Sequence, residues 1–485
     1  MHCRRRFEIG DQNVTSKTSQ PITDEADFVV VGSGMAGSTA ARWLAASGAS
    51  VLVLEEGGWP APAGPDLRPA LENLYRDGAM RLTSGPDSVV LLQGRCVGGS
   101  TVISAGVHAP LPEEAWEQWC ALEPAWRTRL PFAELEVARD GLEQFLQVSK
   151  TPISLAGVAG QMLRAAFPGR TDATWRSAPG CLGAGQCLLG CPNKAMASAD
   201  KTLLVQAQSH GARVLSGCRV TKIALAGGVA RGVDAVNSVG APLHFAARRG
   251  VFLAAGAIQS TWLLLRSRVQ PSGHGFQLQP VLVVAGLGAV DSGQRAGFSS
   301  SSNALRSLGA DLVASVLPER ARAAYLPGIG LELEDRLQRI QNVATWNIVF
   351  KPTARGKVAD SLGQPKVFFA LTPADRQRAM QAVILAVEAM LRAGAAEIYP
   401  QIRRGPAVIS DAAGVQQLRA VPAGPSFAAM RAMHFFGGLH VDDRFQVPGI
   451  RNLVLTDSAA FPSAIGVGPQ SAIGAYATAV TQRWV

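Results

Sequence analysis

Lysine is scarce in this chain of 485 residues: eight lysines stand against 38 arginines. Charge as a whole is low at 17%, aromatic residues make up 6%, and hydrophobic residues 47%. So little charge with so much apolar content excludes a disordered chain and indicates a large buried core. The net charge of +10 does not indicate nucleic-acid binding, because the arginines are scattered. Their one dense run, Arg4-Arg5-Arg6, has no aromatic platform interleaved with it. An anionic substrate or an acidic partner stays open. Long apolar runs are also absent: no stretch approaches the roughly 18 residues of a membrane span, and the Pro280 to Val290 region is too short. Cysteine does not occur after Cys218. The seven present (Cys3, Cys96, Cys120, Cys181, Cys187, Cys191 and Cys218) are an odd number in a long chain, which argues against a secreted disulfide framework.

What is present points first to a bound dinucleotide. Phe28 to Val31 is a short apolar run that leads into Gly32-Ser33-Gly34-Met35-Ala36-Gly37. A helix-like segment follows, then the apolar run Val51 to Leu54, closing on Glu55 and Glu56. Strand, glycine turn, helix, strand and terminal acid form the dinucleotide fingerprint. Gly32 allows the tight turn, Gly34 lets a pyrophosphate approach the backbone, and Gly37 lets the helix pack on the strand. Amides at the helix start favour phosphate, and Glu55 is placed to accept from ribose hydroxyls. A glycine triplet alone is compatible with an ordinary turn; the flanking strands and acid raise it above that.

Two more glycine-rich segments follow. Gly94-Arg95-Cys96-Val97-Gly98-Gly99-Ser100-Thr101-Val102-Ile103-Ser104 comes after an apolar strand, and its paired glycines allow a large planar ligand close to the backbone. Phe252 to Ser260 carries Ala254, Ala255, Gly256 and Ala257 at a strand-to-helix junction, where small residues leave amides and space beside a ligand. Residues 111 to 170 read as helices whose tryptophans (Trp116, Trp119, Trp126) are packing residues. Leu203 to His210 reads as a helix, and Ala212 to Leu215 and Cys218 to Ile223 as short strands. Beyond about Pro271, alternating runs such as Val343 to Phe350 and Lys366 to Leu371 suggest antiparallel strands. Asp375 to Gly394 reads as one long helix.

The C-terminal block contains Met433-His434-Phe435-Phe436-Gly437-Gly438, then a strand ending in Asp457-Ser458, then Gly466-Val467-Gly468-Pro469-Gln470. Together with the fingerprint ending in LEEGG and the GRCVGGSTVISAG loop, this block resembles the glucose–methanol–choline (GMC) family of FAD oxidoreductases. The resemblance implies an α/β fold: a Rossmann-like FAD-binding domain with a smaller α+β substrate domain, an antiparallel sheet backed by helices. The expected division is an N-terminal arm at 1–24, an FAD domain from 25–110, 195–270 and 425–485, and a substrate-binding cap from 111–194 and 271–424. Non-covalent FAD would be held by Gly32, Ser33, Gly34, Met35, Ala36, Gly37, Glu55, Glu56, Arg95, Gly98, Gly99, Ser100, Ser104, Val220, Ala255, Gly256, Asp457, Ser458, Gly468 and Pro469. No histidine in the Gly98 to Ser104 loop suggests a covalent flavin bond.

The activity implied is oxidation of a small-molecule alcohol to an aldehyde or ketone, with His434 taking the hydroxyl proton as hydride leaves for the flavin. A neutral imidazole, pKa about 6.5, suits that role. O2 or a protein or quinone partner would accept the electrons. The chain departs from the family pattern at two points. Ser104 stands where the motif has Asn, and Gly468 where a second polar partner normally orients the substrate oxygen. His440 and Gln470 are the candidates to replace that partner. Gly468 and Ser104 also motivate an alternative, a flavoprotein of this fold doing elimination or decarboxylation.

Cys181, Cys187 and Cys191-Pro192 fall within eleven residues of a glycine-rich loop. Three thiolates at such spacing can hold a small iron–sulfur cluster, and a three-iron (3Fe-4S) cluster fits a three-cysteine set. Dehydrogenases of the resembled family that carry a similar spacing use a cluster to pass electrons onward, which adds an electron-relay reading. Small cysteines filling a tight loop are the alternative. Arg4-Arg5-Arg6-Phe7 resembles the start of a twin-arginine export signal, but Glu8 to Glu25 is polar where such a signal needs an apolar run. A flexible basic arm on a soluble, cytoplasmic protein is expected.

Overall fold

In the computed structural model of the chain, residues 22–61, 64, 66–269, 273–288, 298–315 and 317–485 are described. The Arg4–Arg6 run and Cys3 lie outside them. Two sheets organise the rest. The first has five parallel strands in the order Arg213–Leu215, Val51–Leu54, Ile22–Val31, Pro242–Leu253, Leu453–Leu455. Phe28 to Val31 lies between Val51 to Leu54 and Gly250 to Leu253, and every residue of Val51–Leu54 is buried. Continuous apolar runs are what a parallel sheet covered on both faces requires. The hairpin Arg219–Ala226/Val229–Val236 extends the sheet antiparallel to the first half of Pro242–Leu253. Helix Met35–Ala46 crosses from Ile22–Val31 to Val51–Leu54 and packs against Gln470–Gln482 and Leu203–Ser209.

The second sheet is mainly antiparallel, in the order Val89–Leu91, Met430–Gly437, Phe276–Leu287, Val343–Phe350, Ala310–Ser315, Phe298–Ser302, Thr171–Ala173, with Glu397–Tyr399 beside the end of Phe276–Leu287. Period-two alternation divides its central strand. The indole of Trp346 donates to the Ala159 carbonyl of helix Gly157–Ala166, and Phe350 lies under Arg378 of helix Pro373–Arg392. Asn347 and Val349 point the other way, into a cleft. Helix Pro373–Arg392 starts where its sequence demands. The Thr372 hydroxyl accepts from the Asp375 amide, the Asp375 carboxylate accepts from the Thr372 amide, and proline occupies the first turn.

The mixed α/β architecture and the packing role of the tryptophans agree with expectation: Trp119 and Trp126 are fully buried against Phe461 and Tyr476. Two strands depart from the expected division. Val89–Leu91 and Met430–Gly437, assigned by sequence to cofactor segments, are strands of the second sheet. Phe276–Leu287 pairs with Met430–Gly437 along Phe276 to Val281, so the strand that carries His434 is held within the second sheet.

Candidate functional site: a dinucleotide cleft ending at His434

One cleft collects residues from the three glycine-rich segments and from the C-terminal block. At one end its wall is backbone. Gly32 has φ +97°, and a Cβ there would lie 2.5 Å from the Ala254 carbonyl oxygen. A Cβ on Gly37 would lie 1.9 Å from the Gly32 carbonyl oxygen. Gly34 differs, since an added Cβ would meet no protein atom within 4 Å; its open side faces the cleft. No side chain caps helix Met35–Ala46, so its first amides are available to an anion. The second glycine loop closes over this turn. A Cβ on Gly99 would come within 2.9 Å of Gly34 Cα, and the Gly98 amide donates to Ser33 Oγ at 3.0 Å.

Glu55 ties these loops together. Its Oε2 accepts from Ser33 Oγ (2.6 Å) and the Ser33 amide (3.1 Å), and its Oε1 from the Gly57 amide at 2.9 Å. Burial raises its pKa, against the pull of these bonds. Oε1 keeps one acceptor site, which a ribose hydroxyl can use. Glu56 is held by Arg76 at 2.8 Å and Arg95 at 3.3 Å. Gly37, Arg95 and Gly98 therefore support the wall without lining it, whereas Gly32 to Ala36, Glu55, Glu56, Gly99, Ser100, Ser104 and Val220 line it.

Ala255, Gly256, Asp457 and Ser458 line the far wall. Asp457 is held by the protein: its Oδ2 accepts from the Gly256 amide (2.8 Å) and Ser260 Oγ (2.5 Å), and its Oδ1 from the Ala459 amide at 2.8 Å. Burial pushes its carboxyl up to about 6. Its role is to clamp two strand ends, leaving the small Gly256 (φ +82°, open above its Cα) toward the cleft.

Ser104, one of the two departures from the family pattern, meets Gln470, a candidate for the missing partner. Ser104 Oγ donates to Gln470 Oε1 at 3.1 Å, and the Gln470 amide reaches His108 Nε2 at 3.0 Å. His108 is buried, with Nδ1 3.2 Å from Ser471 Oγ, and Ser471 donates to Glu143. Gln470 is thus oriented through a chain of groups that ends on a carboxylate, at the N-terminus of helix Gln470–Gln482. Gly468 and Pro469 line the cleft beside it, and a Cβ on Gly468 would meet no protein atom within 4 Å.

His434 stands deep in the protein with a ring edge open to the cleft. Burial lowers its pKa to about 4, so the ring is neutral at neutral pH. Gln279, fully buried, holds it: the Gln279 Oε1 accepts from the Gly466 amide (2.7 Å), and its Nε2 contacts the Val467 carbonyl (3.1 Å) and His434 Nδ1 (3.1 Å). With both amide hydrogens donated, Nδ1 accepts and the ring hydrogen sits on Nε2. The sheet around it contributes Val281, Phe298, Val313, Asn347, Val349, Met433 and Phe435 to the cleft, and among these His434 is the one titratable side chain.

His440 does not join the site. It bonds Glu123 through Nδ1 at 3.1 Å and stands edge to face with His274, because the turn at Gly437-Gly438 (φ +75° and +102°) carries the chain away from the cleft. Gln279, His108 and Asn347 are site residues that sequence reasoning missed. The signal for Gln279 was the polar alternation Gln277-Leu278-Gln279 opening an otherwise apolar strand. Nothing local marks His108.

Fold and site define an α/β oxidoreductase built for a dinucleotide longer than its phosphate cradle, and the donor set fits FAD. The open faces of Gly34 and Gly256, the uncapped helix and the spare acceptor of Glu55 lie along one cleft that ends at an imidazole. The chain belongs to the GMC oxidoreductase family, whose profile matches residues 26–281. It is 30% identical, over 97% of its length and 78% of the relative's, to an uncharacterized GMC-type oxidoreductase of Mycobacterium tuberculosis. It is 23% identical to long-chain-alcohol oxidase FAO3 of Arabidopsis thaliana, over 98% of this chain and 70% of that one. Its fold is shared with pyridoxine 4-oxidase from Mesorbium loti, with TM-score 0.66 and 17% identity over 94% of this chain and 99% of that one.

Proposed function

We propose that the protein oxidises the CH–OH group of an uncharged, largely apolar alcohol to an aldehyde or ketone. One observation carries this reading: among the described residues, the wall contributed by the second sheet is apolar apart from Asn347 and His434. A charged substrate would be desolvated there without a partner. The long-chain-alcohol oxidase relative supports the same class. When bound, FAD supplies the acceptor for the hydride that leaves the alcohol carbon. His434 acts on the substrate oxygen through Nε2. In the resting protein Nε2 carries the ring hydrogen and donates to that oxygen, orienting it. Taking the hydroxyl proton at Nε2 requires the ring hydrogen to move to Nδ1 and the Gln279 amide to turn over, which breaks its bonds to Gly466 and Val467. Gln279 thus governs when His434 can serve as base. The test is anaerobic bleaching of the flavin by panels of apolar primary alcohols, sterols, sugars and amino sugars. Reduction by the first two groups is expected. Bleaching by sugars alone, or product formed without flavin reduction, would overturn the reading.

We infer a second function, electron relay, from the cysteine loop. Cys181, Cys187 and Cys191 line a small cavity of their own, with Arg176 and Met196. The Arg176 guanidinium donates to Cys187 Sγ at 3.3 Å and Cys181 Sγ at 3.7 Å, so two of the three sulfurs share one outer partner. These three would hold a three-iron cluster. Anaerobically purified protein should contain about three irons and four labile sulfides per flavin; protein with neither would leave the loop a purely structural element.

A further inference from the structure

Three side chains outside the cleft come together from distant parts of the chain. Glu123 ends helix Glu113–Leu122, His274 precedes strand Phe276–Leu287, and His440 follows strand Met430–Gly437. One ligand atom from each lies within 4.8 Å of the other two. His440 Nδ1 is 3.1 Å from Glu123 Oε2, and the imidazole centroids are 4.9 Å apart at 77°. Two imidazoles bound to one tetrahedral ion at about 2.0–2.1 Å stand at a similar separation, about 5 Å between centroids. His274 Nε2 is buried and has no hydrogen-bond partner among the described residues, a state native proteins seldom leave a polar atom in.

The surroundings provide outer support for an ion. Arg129 Nη1 donates to Glu123 Oε1 at 2.8 Å and Trp126 Nε1 to Oε2 at 3.3 Å, while Arg129 Nη2 faces Asp443 at 3.5 Å. Arg355 directs Nη1 to the backbone carbonyls of His274 (2.5 Å) and Pro462 (3.1 Å). Ligating carboxylates are commonly held this way by outer partners.

We propose that Glu123, His274 and His440 bind a divalent transition cation of the zinc class. Two imidazoles and a carboxylate suit zinc and leave a fourth position to water, whereas magnesium or calcium calls for more oxygen ligands. Ligation through His440 Nδ1 moves the ring hydrogen shared with Glu123 to Nε2, so the imidazole binds as the neutral ring with no net proton released. None of the three residues lines the cleft, so the ion braces the fold: it joins the helical cap segment to the two strands that carry Gln279 and His434.

The test uses full-length, flavin-loaded protein stripped with a chelator and titrated with Zn2+. One ion per chain is expected, with a raised Tm and a nitrogen/oxygen shell at about 2.0–2.1 Å by zinc X-ray absorption. Affinity should fall at least about tenfold in His274→Ala and in Glu123→Gln. His440→Asn serves if either variant fails to retain flavin. Absence of binding at micromolar zinc, a sulfur shell from the Cys181–Cys191 loop, or binding unchanged in these variants would overturn the proposal.

Discussion

At the Gly32–Gly37 end of the cleft the wall is backbone, and each contact distance is set by the lack of a side chain. At the His434 end the wall is side chains projected from an antiparallel sheet, and one buried glutamine sets the position of the imidazole. The first kind of wall tolerates no added atom behind it and is tied by one buried carboxylate, Glu55. The second tolerates changes of shape but depends on a few polar partners being satisfied. Cofactor binding and chemistry should therefore fail separately under mutation.

The sharpest test compares two glycines three residues apart. Gly37→Ala drives a Cβ into the Gly32 carbonyl and should abolish folded, yellow protein. Gly34→Ala places its methyl in open space at a φ of −66° that alanine adopts freely. It should fold with wild-type circular dichroism yet lose most bound flavin. If both variants bind flavin normally, the cradle lies elsewhere.

At the other end, His434→Ala should retain flavin but slow its anaerobic reduction by alcohol by about two to four orders of magnitude. Unchanged reduction would remove His434 from the chemistry. Gln279→Leu leaves the imidazole in place without its Nδ1 partner. A smaller loss, up to about a hundredfold and mainly in the reduction rate rather than in substrate affinity, is expected, because misorientation of the ring outweighs the freedom Nδ1 gains to carry the hydrogen.

The smallest effects are pH effects. With His434 near 4, the acid limb of kcat/KM should fall near pH 4 and not near the 6.5 of a solvated imidazole. His434 and Asp457 pull stability in opposite directions. The depressed His434 contributes stability that is present above about pH 6.5 and lost as pH falls through about 4. Asp457, raised to about 6, contributes stability that is present below about pH 4 and lost as pH rises through 6. Asp457→Asn removes the second contribution, so its Tm should drop more steeply than wild type's between pH 6.5 and 4. Parallel curves would place Asp457 in a less buried setting.

Much of the first wall was legible in the chain, because its constraints are local. Gly32, Gly34 and Gly37 act within six residues of one another, and Glu55 ends the adjacent strand. The second wall was legible only at His434. Its partner Gln279 lies 155 residues away, and His440, a closer candidate in sequence, is carried off by the Gly437-Gly438 turn. The same distance hid the meeting of Ser104 with Gln470, 366 residues apart, although each residue had stood out singly.

By itself, then, the sequence determined the dinucleotide fingerprint, the α/β alternation, the family and the identity of the imidazole, since each rests on short-range spacing or on residue type. Tertiary structure alone decided which glycines meet a backbone and which face a ligand. It also decided that Glu55 and Asp457 are bound up within the protein, which nitrogen of His434 is free, and that Glu123, His274 and His440 converge. These depend on where strands far apart in sequence are brought side by side, and on burial, which sets the protonation of groups whose residue type says nothing about their depth.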